Sequence, residues 1–293
     1  MRLADLHADT PYRIYKEGLP FASPALHVSQ NGLCRYDSVR AVFAFFSDPS
    51  LPDEALFSEF FKTKACFERA LDACRLPDDF GMIYSLEDAR ILDSDETRLL
   101  PLYEAGIRII TPLWGGHTCI GGAFDTQTGL TDFGKRAVNL ALHLGMIPDI
   151  SHASRQAAED IFDLASQAKM PVLATHSNAY GVFAHPRNLS DSQLSSVIDS
   201  GGLVGISLAP QHLCAGGASM SDVLRHIDYY LTHGAQAVLS LGCDFDGIEH
   251  TPKDLTSIGD LPILYAEITR LYGEHVAERI FYENAASFFE RVL

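Results

Sequence analysis

The stretch with the clearest chemical potential lies near the amino terminus, at Leu6-His7-Ala8-Asp9. In an extended strand, residues two apart share one face, so His7 and Asp9 can bind one metal ion from the same side. Imidazole nitrogens and carboxylate oxygens are ordinary ligands of zinc, manganese and iron. A lone His-x-Asp pair is a weak signal, so its meaning depends on which residues the fold brings beside it.

Three more residues able to bind metal follow predicted buried strands: Glu87 ends strand three, His152 strand five and His176 strand six. Because all strands of a parallel barrel end at one rim, these side chains should meet His7 and Asp9 there. Each also has a structural explanation. His152 could cap a helix, Glu87 could stabilise a helix amino terminus, and His176 could be a hydrogen-bonded core residue. Five such residues at one rim favour a site for two divalent ions about 3.5 to 4 Å apart.

The elements that must position these residues are short apolar runs alternating with helical segments. Runs rich in β-branched and aromatic residues indicate buried strands. Strands alternating with helices predict a parallel sheet whose outer face is covered. The eight predicted strands are Leu3–Asp9, Ser38–Phe46, Phe80–Leu86, Gly106–Trp114, Gly145–Ile150, Pro171–Ala174, Gly202–Leu208 and Ala237–Leu241.

The strand count and the length of 293 residues predict an α/β fold, a single TIM-like (β/α)8 barrel. An open doubly wound sheet would lead us to expect a G-x-G-x-x-G turn after strand one, and the sequence has none there. The tail Leu261–Leu293 predicts two amphipathic helices packed on the outside. No linker or internal repeat interrupts the pattern, so residues 1–293 are expected to form one domain.

Composition limits the partners and the compartment. A formal net charge of -16 repels phosphate backbones and anionic membrane surfaces, so we expect neither nucleic acid nor membrane as a partner. No apolar stretch has the length of a signal peptide or a membrane span. The six cysteines are scattered without a C-x-x-C pair, which is typical of reduced thiols. The sequence therefore predicts a cytoplasmic protein.

An ordered set of motifs runs from residue 5 to about residue 290. The motifs are His7-Ala8-Asp9, Glu87, Asp149-Ile150-Ser151-His152, Thr175-His176-Ser177, His185-Pro186-Arg187-Asn188, Gly242-Cys243-Asp244-Phe245-Asp246-Gly247 and Glu283-Asn284. Together they resemble the membrane (renal) dipeptidase family of zinc peptidases. This resemblance implies a barrel with two zinc ions, or other divalent metals, in which His7 and Asp9 bind one ion, His152 and His176 the other, and Glu87 bridges them.

The resemblance also implies that Arg187 receives the substrate carboxylate and that Asp244 handles protons. A guanidinium fork suits a carboxylate, although a surface arginine paired with a helix is an alternative. Two zinc ions would lower the pKa of a bridging water and polarise the scissile carbonyl, and Asp244 could pass the proton to the leaving amine. We expect Asp246 to orient Asp244 or a ligand and His185 to fix the loop of Arg187.

One position departs from the family pattern. Well-studied members carry a histidine at the end of strand four that contacts the substrate, and Trp114 stands there in this chain. His117, in the Gly-rich loop that follows, is a candidate to supply the missing imidazole. Trp114 itself adds apolar surface, so we expect a substrate with an apolar side chain beside the scissile carbonyl.

The sequence therefore predicts a zinc-dependent dipeptidase that uses a metal-bridging hydroxide on small dipeptides, including those with a D-configured C-terminal residue, as the resemblance implies. Two alternatives remain open. One is an amidase or deacylase of N-acyl amino acids on the same metal site. The other is a metal-bound barrel whose catalysis has lapsed and which acts as a binding protein, although Asp244 and Arg187 would then have no chemical use. Exposed apolar helices would suit a homodimer.

Overall fold

A parallel sheet in the order β5-β4-β3-β2-β1-β7-β6 forms the frame of the computed structural model, which describes residues 1–293. All neighbouring strands of this sheet are parallel. Helices connect most successive strands and cover the outer face. The strands are β1 (Arg2–Ala8), β2 (Ser38–Phe46), β3 (Asp79–Glu87), β4 (Ile107–Thr111), β5 (Ile147–Pro148), β6 (Val204–Ile206) and β7 (Leu239–Leu241).

A short segment joins the two edges of the sheet and closes it. Leu173 exchanges backbone hydrogen bonds with the end of β5, and Ala174 pairs with the start of β6. The ring of parallel strands is therefore complete, and the α/β barrel prediction is confirmed. The predicted sixth strand, Pro171–Ala174, is too long, because only two of its residues pair and Pro171 has no amide hydrogen to donate.

Several other predicted strands are in the right place but too long. The fourth extends only over Ile107–Thr111, where Pro112 stops the ladder because it lacks an amide hydrogen. The eighth begins at Leu239, because residues 235–237 form a 3₁₀ turn. The regular strands are therefore short, and the loops after them begin earlier than hydrophobicity alone indicates.

Helical segments lie between the strands, as the alternating pattern predicts. The tail contains the two predicted helical segments, the second interrupted by a π-helical turn at Arg279–Glu283. The helices are α1 (Thr10–Glu17), α2 (Gln30–Leu33), α3 (Asp53–Asp72), α4 (Leu99–Glu104), α5 (Asp132–His143), α6 (Arg155–Ala168), α7 (Asp191–Asp199), α8 (Pro210–Leu213), α9 (Met220–Thr232), α10 (Leu261–Tyr272), α11 (Glu274–Glu278) and α12 (Asn284–Val292).

The main hydrophobic core lies between the strands and the outer helices. Aromatic side chains of β2 pack edge-to-face on α3, with ring centroids 4.9 Å apart for Phe43 and Phe67 and 5.2 Å apart for Phe45 and Phe60. Edge-to-face packing of this kind adds about 0.5 to 1.5 kcal/mol per pair beyond burial. None of the helices combines the length and the hydropathy that a membrane-spanning helix needs.

Candidate metal centre

The five residues predicted to bind metal meet at the carboxyl ends of the barrel strands. Ligand atoms of His7, Asp9 and Glu87 lie within 4.8 Å of one another, and so do those of Glu87, His152 and His176. His152 is partly buried and the other four are buried. The structure therefore forms two groups of potential ligands that share one carboxylate.

The two oxygens of Glu87 face different groups. Its Oε2 lies 3.5 Å from His7 Nε2, whereas its Oε1 lies 3.1 Å from His152 Nε2 and 3.5 Å from His176 Nε2. On the other side of His7, Asp9 Oδ2 lies 3.4 Å from the same Nε2. Glu87 is thus oriented as a carboxylate that bridges two cations would be.

Several polar atoms of this centre have no partner within the protein. Both ring nitrogens of His7 and the Oδ1 of Asp9 are buried without a hydrogen bond. An unsatisfied buried polar atom costs about 1 to 3 kcal/mol, so folded proteins rarely leave several together. Imidazole nitrogens and carboxylate oxygens in this number are a normal ligand set for zinc and related divalent ions. The residues therefore fit two divalent ions.

The pKa values of the three histidines shift in different directions. Burial lowers the pKa of His152 to about 4 and places the pKa of His176 well below its ordinary value. Burial also acts on His7, but the carboxylates of Glu87 and Asp9 outweigh it and raise the pKa of that imidazole. His152 and His176 are therefore neutral at pH 7, which is the form that binds metal.

The carboxylates are crowded as well. Burial and the neighbouring Glu87 raise the pKa of Asp9, whereas the three histidines hold the pKa of Glu87 well below its usual range despite its burial. Acidic groups packed this closely repel one another unless cations lie between them.

Strained backbone positions concentrate around this centre. Asp88, His152, Asp244 and Asp246 have positive φ angles of 69°, 71°, 62° and 67°. Non-glycine residues rarely adopt this conformation, and it persists where surrounding contacts enforce it, often at functional sites. The turns after three strands are therefore built to direct these side chains.

The loop after β7 carries Asp244 towards the metal centre. A ligand atom of Asp244 lies within 4.8 Å of those of His7 and His176. Burial, with Glu87 nearby, raises the pKa of Asp244 to about 7. Gly247 closes the loop against Asp9, and a Cβ at this position would lie 2.1 Å from Asp9 Oδ2. Only glycine leaves room for the carboxylate there.

Asp246 anchors that loop to the amino-terminal part of the chain. Its buried carboxylate accepts hydrogen bonds from Thr10 Oγ1 at 2.7 Å, the His27 amide at 2.7 Å and Arg13 Nη1 at 3.1 Å. These contacts hold the loop next to α1, although Asp246 does not hydrogen bond to Asp244 itself. The predicted orienting role of Asp246 remains a prediction, with loop anchoring as its structural basis.

A cavity of about 420 Å³ opens on the centre. Glu87, Asp9, His152 and Asp244 line it, together with an aromatic wall of Phe46, Trp114 and Phe124. The ring centroids of Phe46 and Trp114 are 5.1 Å apart. Trp114 is therefore part of an apolar wall of the cavity.

Two predicted substrate contacts do not line this cavity. His117 is exposed in the Gly-rich loop, where its Nδ1 lies 3.0 Å from Thr128 Oγ1. Arg187 is buried, and its terminal nitrogens donate to Ser177 Oγ at 2.8 Å and to the His176 carbonyl at 3.0 Å. His185 Nδ1 accepts from the Arg187 amide at 3.2 Å, consistent with the predicted fixing of this loop.

The cavity also contains residues that the sequence pattern did not indicate. Tyr12, Asp125, Gln211 and His212 line it without having been predicted. Tyr12 follows Asp9 by three residues, so the first turn of a helix there would have indicated it. No comparable pattern marks the other three, which reach the cavity from loops and a short helix.

Comparison with known proteins places this architecture in a family. The sequence pattern of the membrane dipeptidase family, peptidase family M19, matches residues 57–292. The chain belongs to this family of metallo-dipeptidases. The matched range leaves out His7 and Asp9, so their place in the dipeptidase fold rests on the geometry described above.

Individual relatives are similar to large parts of this chain. A protein from the pqqA 5′ region of Klebsiella pneumoniae is 33% identical over 238 residues, 76% of this chain and 86% of that protein. Dipeptidase aclJ of Aspergillus oryzae is 30% identical over 202 residues, which cover 66% of this chain but 46% of that protein. This chain thus spans about half the length of the Aspergillus relative.

A solved structure shows the same fold along the whole chain. The metallopeptidase from Rhodobacter sphaeroides, crystallised with a phosphinate mimic of the dipeptide L-Ala-D-Ala, is 22% identical and has a TM-score of 0.89. The superposition covers 100% of this chain and 99% of that chain. At this level of identity the likeness establishes the dipeptidase fold and leaves the substrate to be argued from the cavity.

Proposed function

We propose that this protein hydrolyses the amide bond of small dipeptides at a centre of two zinc ions. The observation that carries the proposal is Glu87, whose two oxygens each face a separate group of potential ligands. His7 and Asp9 would hold one ion, His152 and His176 the other, and Glu87 would bridge them. Family membership supports a divalent metal, and the nitrogen-rich ligand set favours zinc.

The bound metals would supply Lewis acidity for the scissile carbonyl and a water of lowered pKa. Asp244 lies beside His7 and His176 and lines the cavity, which supports a role in moving a proton from the water to the leaving nitrogen. In this proposal it accepts the proton of the water and delivers it to the amine. The apolar wall limits access of bulk water to the reacting groups.

The cavity supports a small substrate. Its volume of about 420 Å³ is at the lower end of the range of ligand pockets, about 300 to 1,000 Å³, and suits a dipeptide rather than a folded protein. Phe46, Trp114 and Phe124 favour an apolar side chain beside the scissile carbonyl. The Rhodobacter relative was solved with a mimic of L-Ala-D-Ala, and we extend a D-configured C-terminal residue to the substrates of this chain.

Arg187 is the proposed receptor of the substrate carboxylate. Its guanidinium is buried, its terminal nitrogens donate to uncharged groups, and its Nε has no partner. A buried cation without a carboxylate in contact gains from an arriving anion. Because Arg187 does not line the cavity, this contact requires its side chain or the 185–188 loop to shift when substrate binds.

Three forms of one substrate test this function. The metal-loaded protein should cleave an apolar dipeptide, while its C-terminal amide should lose about 30-fold or more in kcat/KM because a buried cation is left without its anion. Arg187→Ala should remove the difference between acid and amide, and Arg187→Lys, which keeps the charge without the fork, serves as the matched control.

The N-acetylated dipeptide separates the alternatives. Equal cleavage of the acetylated and free forms would favour the deacylase of N-acyl amino acids. No turnover across a broad panel, with both metals bound, would favour the lapsed barrel.

A further inference from the structure

Two buried side chains stand behind His176 and have no part in the function proposed above. The Oγ1 of Thr175 lies 2.8 Å from His176 Nδ1 and donates to Asp149 Oδ2 at 2.5 Å. Asp149 and Thr175 are each 0% exposed, and His176 is 1% exposed. The three residues therefore form a continuous chain of hydrogen bonds shielded from water.

The direction of the protons in this chain follows from the partners of Asp149. Its Oδ1 accepts from the amides of Ser151 and Thr175, both at 2.9 Å. Its Oδ2 accepts from the hydroxyl of Thr111 at 2.8 Å as well as from Thr175. With four donors around it, Asp149 acts as an acceptor carboxylate. The single hydroxyl proton of Thr175 is thereby used, so its oxygen can only accept a proton from His176 Nδ1.

We propose that Asp149 and Thr175 form a buried relay that keeps the proton of His176 on Nδ1 and leaves Nε2 free for a metal ion. The relay concerns the metal centre of the proposed function and rests on it. His176 Nε2 points into that centre, 2.9 Å from His152 Nε2 and 3.5 Å from Glu87 Oε1. Partners that fix the tautomer and orientation of a ligand histidine commonly change metal affinity by 10- to 100-fold when they are removed.

The Nδ1 atoms of His152 and His7 do not contact the relay. Substitutions in the relay should therefore act through His176 alone. His152 Nδ1 lies 3.1 Å from the Trp114 backbone carbonyl, a partner that no side-chain substitution removes. His7 Nδ1 has no partner at all. Loss of the relay should therefore weaken the ion held by His152 and His176 and spare the ion held by His7 and Asp9.

Three variants test the relay by zinc titration of the 293-residue protein against a chromophoric chelator. Thr175→Val keeps the shape and removes the hydroxyl, so one of the two zinc equivalents should bind about 10- to 100-fold more weakly. Thr175→Ser restores a hydroxyl and should return the affinity close to wild type. Thr111→Val is the matched control, because it removes a donor to the same Asp149 oxygen without touching the contact between Thr175 and His176. Circular dichroism checks the fold of each variant.

The tautomer of His176 can be observed directly in wild-type protein. The proposal can therefore be tested even if a variant fails to fold. In zinc-loaded protein labelled with ¹⁵N-histidine, His176 should carry its proton on Nδ1, with the signal assigned by its loss in His176→Asn. An unprotonated Nδ1 would overturn the relay, as would Thr175→Val with wild-type affinity or Thr111→Val with an equal loss. Wild-type protein that binds fewer than two zinc ions would instead overturn the metal centre, and the relay with it.

Discussion

At the scale of single residues, the central feature is the carboxylate of Glu87, whose two oxygens have different neighbours. Glu87 faces His7 with one oxygen and both His152 and His176 with the other. A residue that merely began a helix would need only one oxygen near backbone amides. The structure therefore favours the hypothesis that Glu87 bridges two ions over the alternative that it stabilises the start of a helix. The two hypotheses predict different metal contents for Glu87→Gln.

Glu87→Gln should lower the metal content of the purified protein from two equivalents towards one. An amide has a single neutral oxygen and attracts two cations poorly, whereas the fold keeps its shape because glutamine is nearly isosteric. Elemental analysis of the folded variant measures this directly. Two full equivalents in the variant would mean that Glu87 does not bridge.

Asp244→Asn should leave metal content nearly unchanged and reduce kcat. General acid–base assistance is typically worth about 10² to 10⁴ in rate, and the amide keeps the size of the side chain while losing the proton acceptor. Steady-state kinetics on an apolar dipeptide with metal content measured in parallel would decide this. A loss smaller than about tenfold would assign the proton transfer to another group.

At the scale of elements, the strand-end pattern was enough to predict which residues meet. The five ligand candidates could be found because a parallel barrel brings all strand ends to one rim, whatever the sequence distance between them. Strand lengths could not be found in the same way, since the sixth strand pairs only through Leu173 and Ala174. A hydrophobic run in the sequence indicates buried residues. Residues remain buried beyond the last hydrogen bond between strands, so the run is longer than the strand.

The paths of the loops could not be predicted from the sequence. Neither Arg187 nor His117 lines the cavity, whereas Gln211 and His212 reach it from a short helix. Loop paths depend on contacts between distant segments, such as those of Asp246 with Thr10 and His27. No local periodicity records such contacts, so substrate residues are harder to predict than metal ligands.

Substitution of Gly247, in the loop after β7, should weaken metal binding. In Gly247→Ala the new Cβ would lie 2.1 Å from Asp9 Oδ2 and 2.9 Å from Asp244 Oδ1, so the Asp9 carboxylate must move. We expect weaker binding of the ion assigned to His7 and Asp9, measured by zinc titration. Gly216→Ala is the control, since a Cβ at that position would have no atom within 4 Å. Equal affinities in the two variants would show that Asp9 can adapt without loss.

At the scale of the whole molecule, the metal centre connects distant parts of the chain. Its candidate ligands extend from residue 7 to residue 176 and converge only in the folded barrel. The unfolded chain has no such site, so metal binding should be linked to folding. The unpaired atoms of His7 and Asp9 add to this linkage, because removal of the ions leaves them buried and unsatisfied.

Chelation of the metals should therefore lower the thermal stability of the whole barrel. A ligand at 100 times its Kd stabilises the native state by about 2.7 kcal/mol, so two sites contribute about 5 kcal/mol. For a chain of this size that corresponds to a fall in Tm of roughly 5 to 10 °C. Scanning calorimetry of zinc-loaded and chelator-treated protein measures the shift, and Glu87→Gln should show a clearly smaller one because it holds fewer ions. An unchanged Tm on complete removal of metal would show that the barrel folds without help from its centre and that the buried cluster of His7, Asp9 and Glu87 is stable on its own.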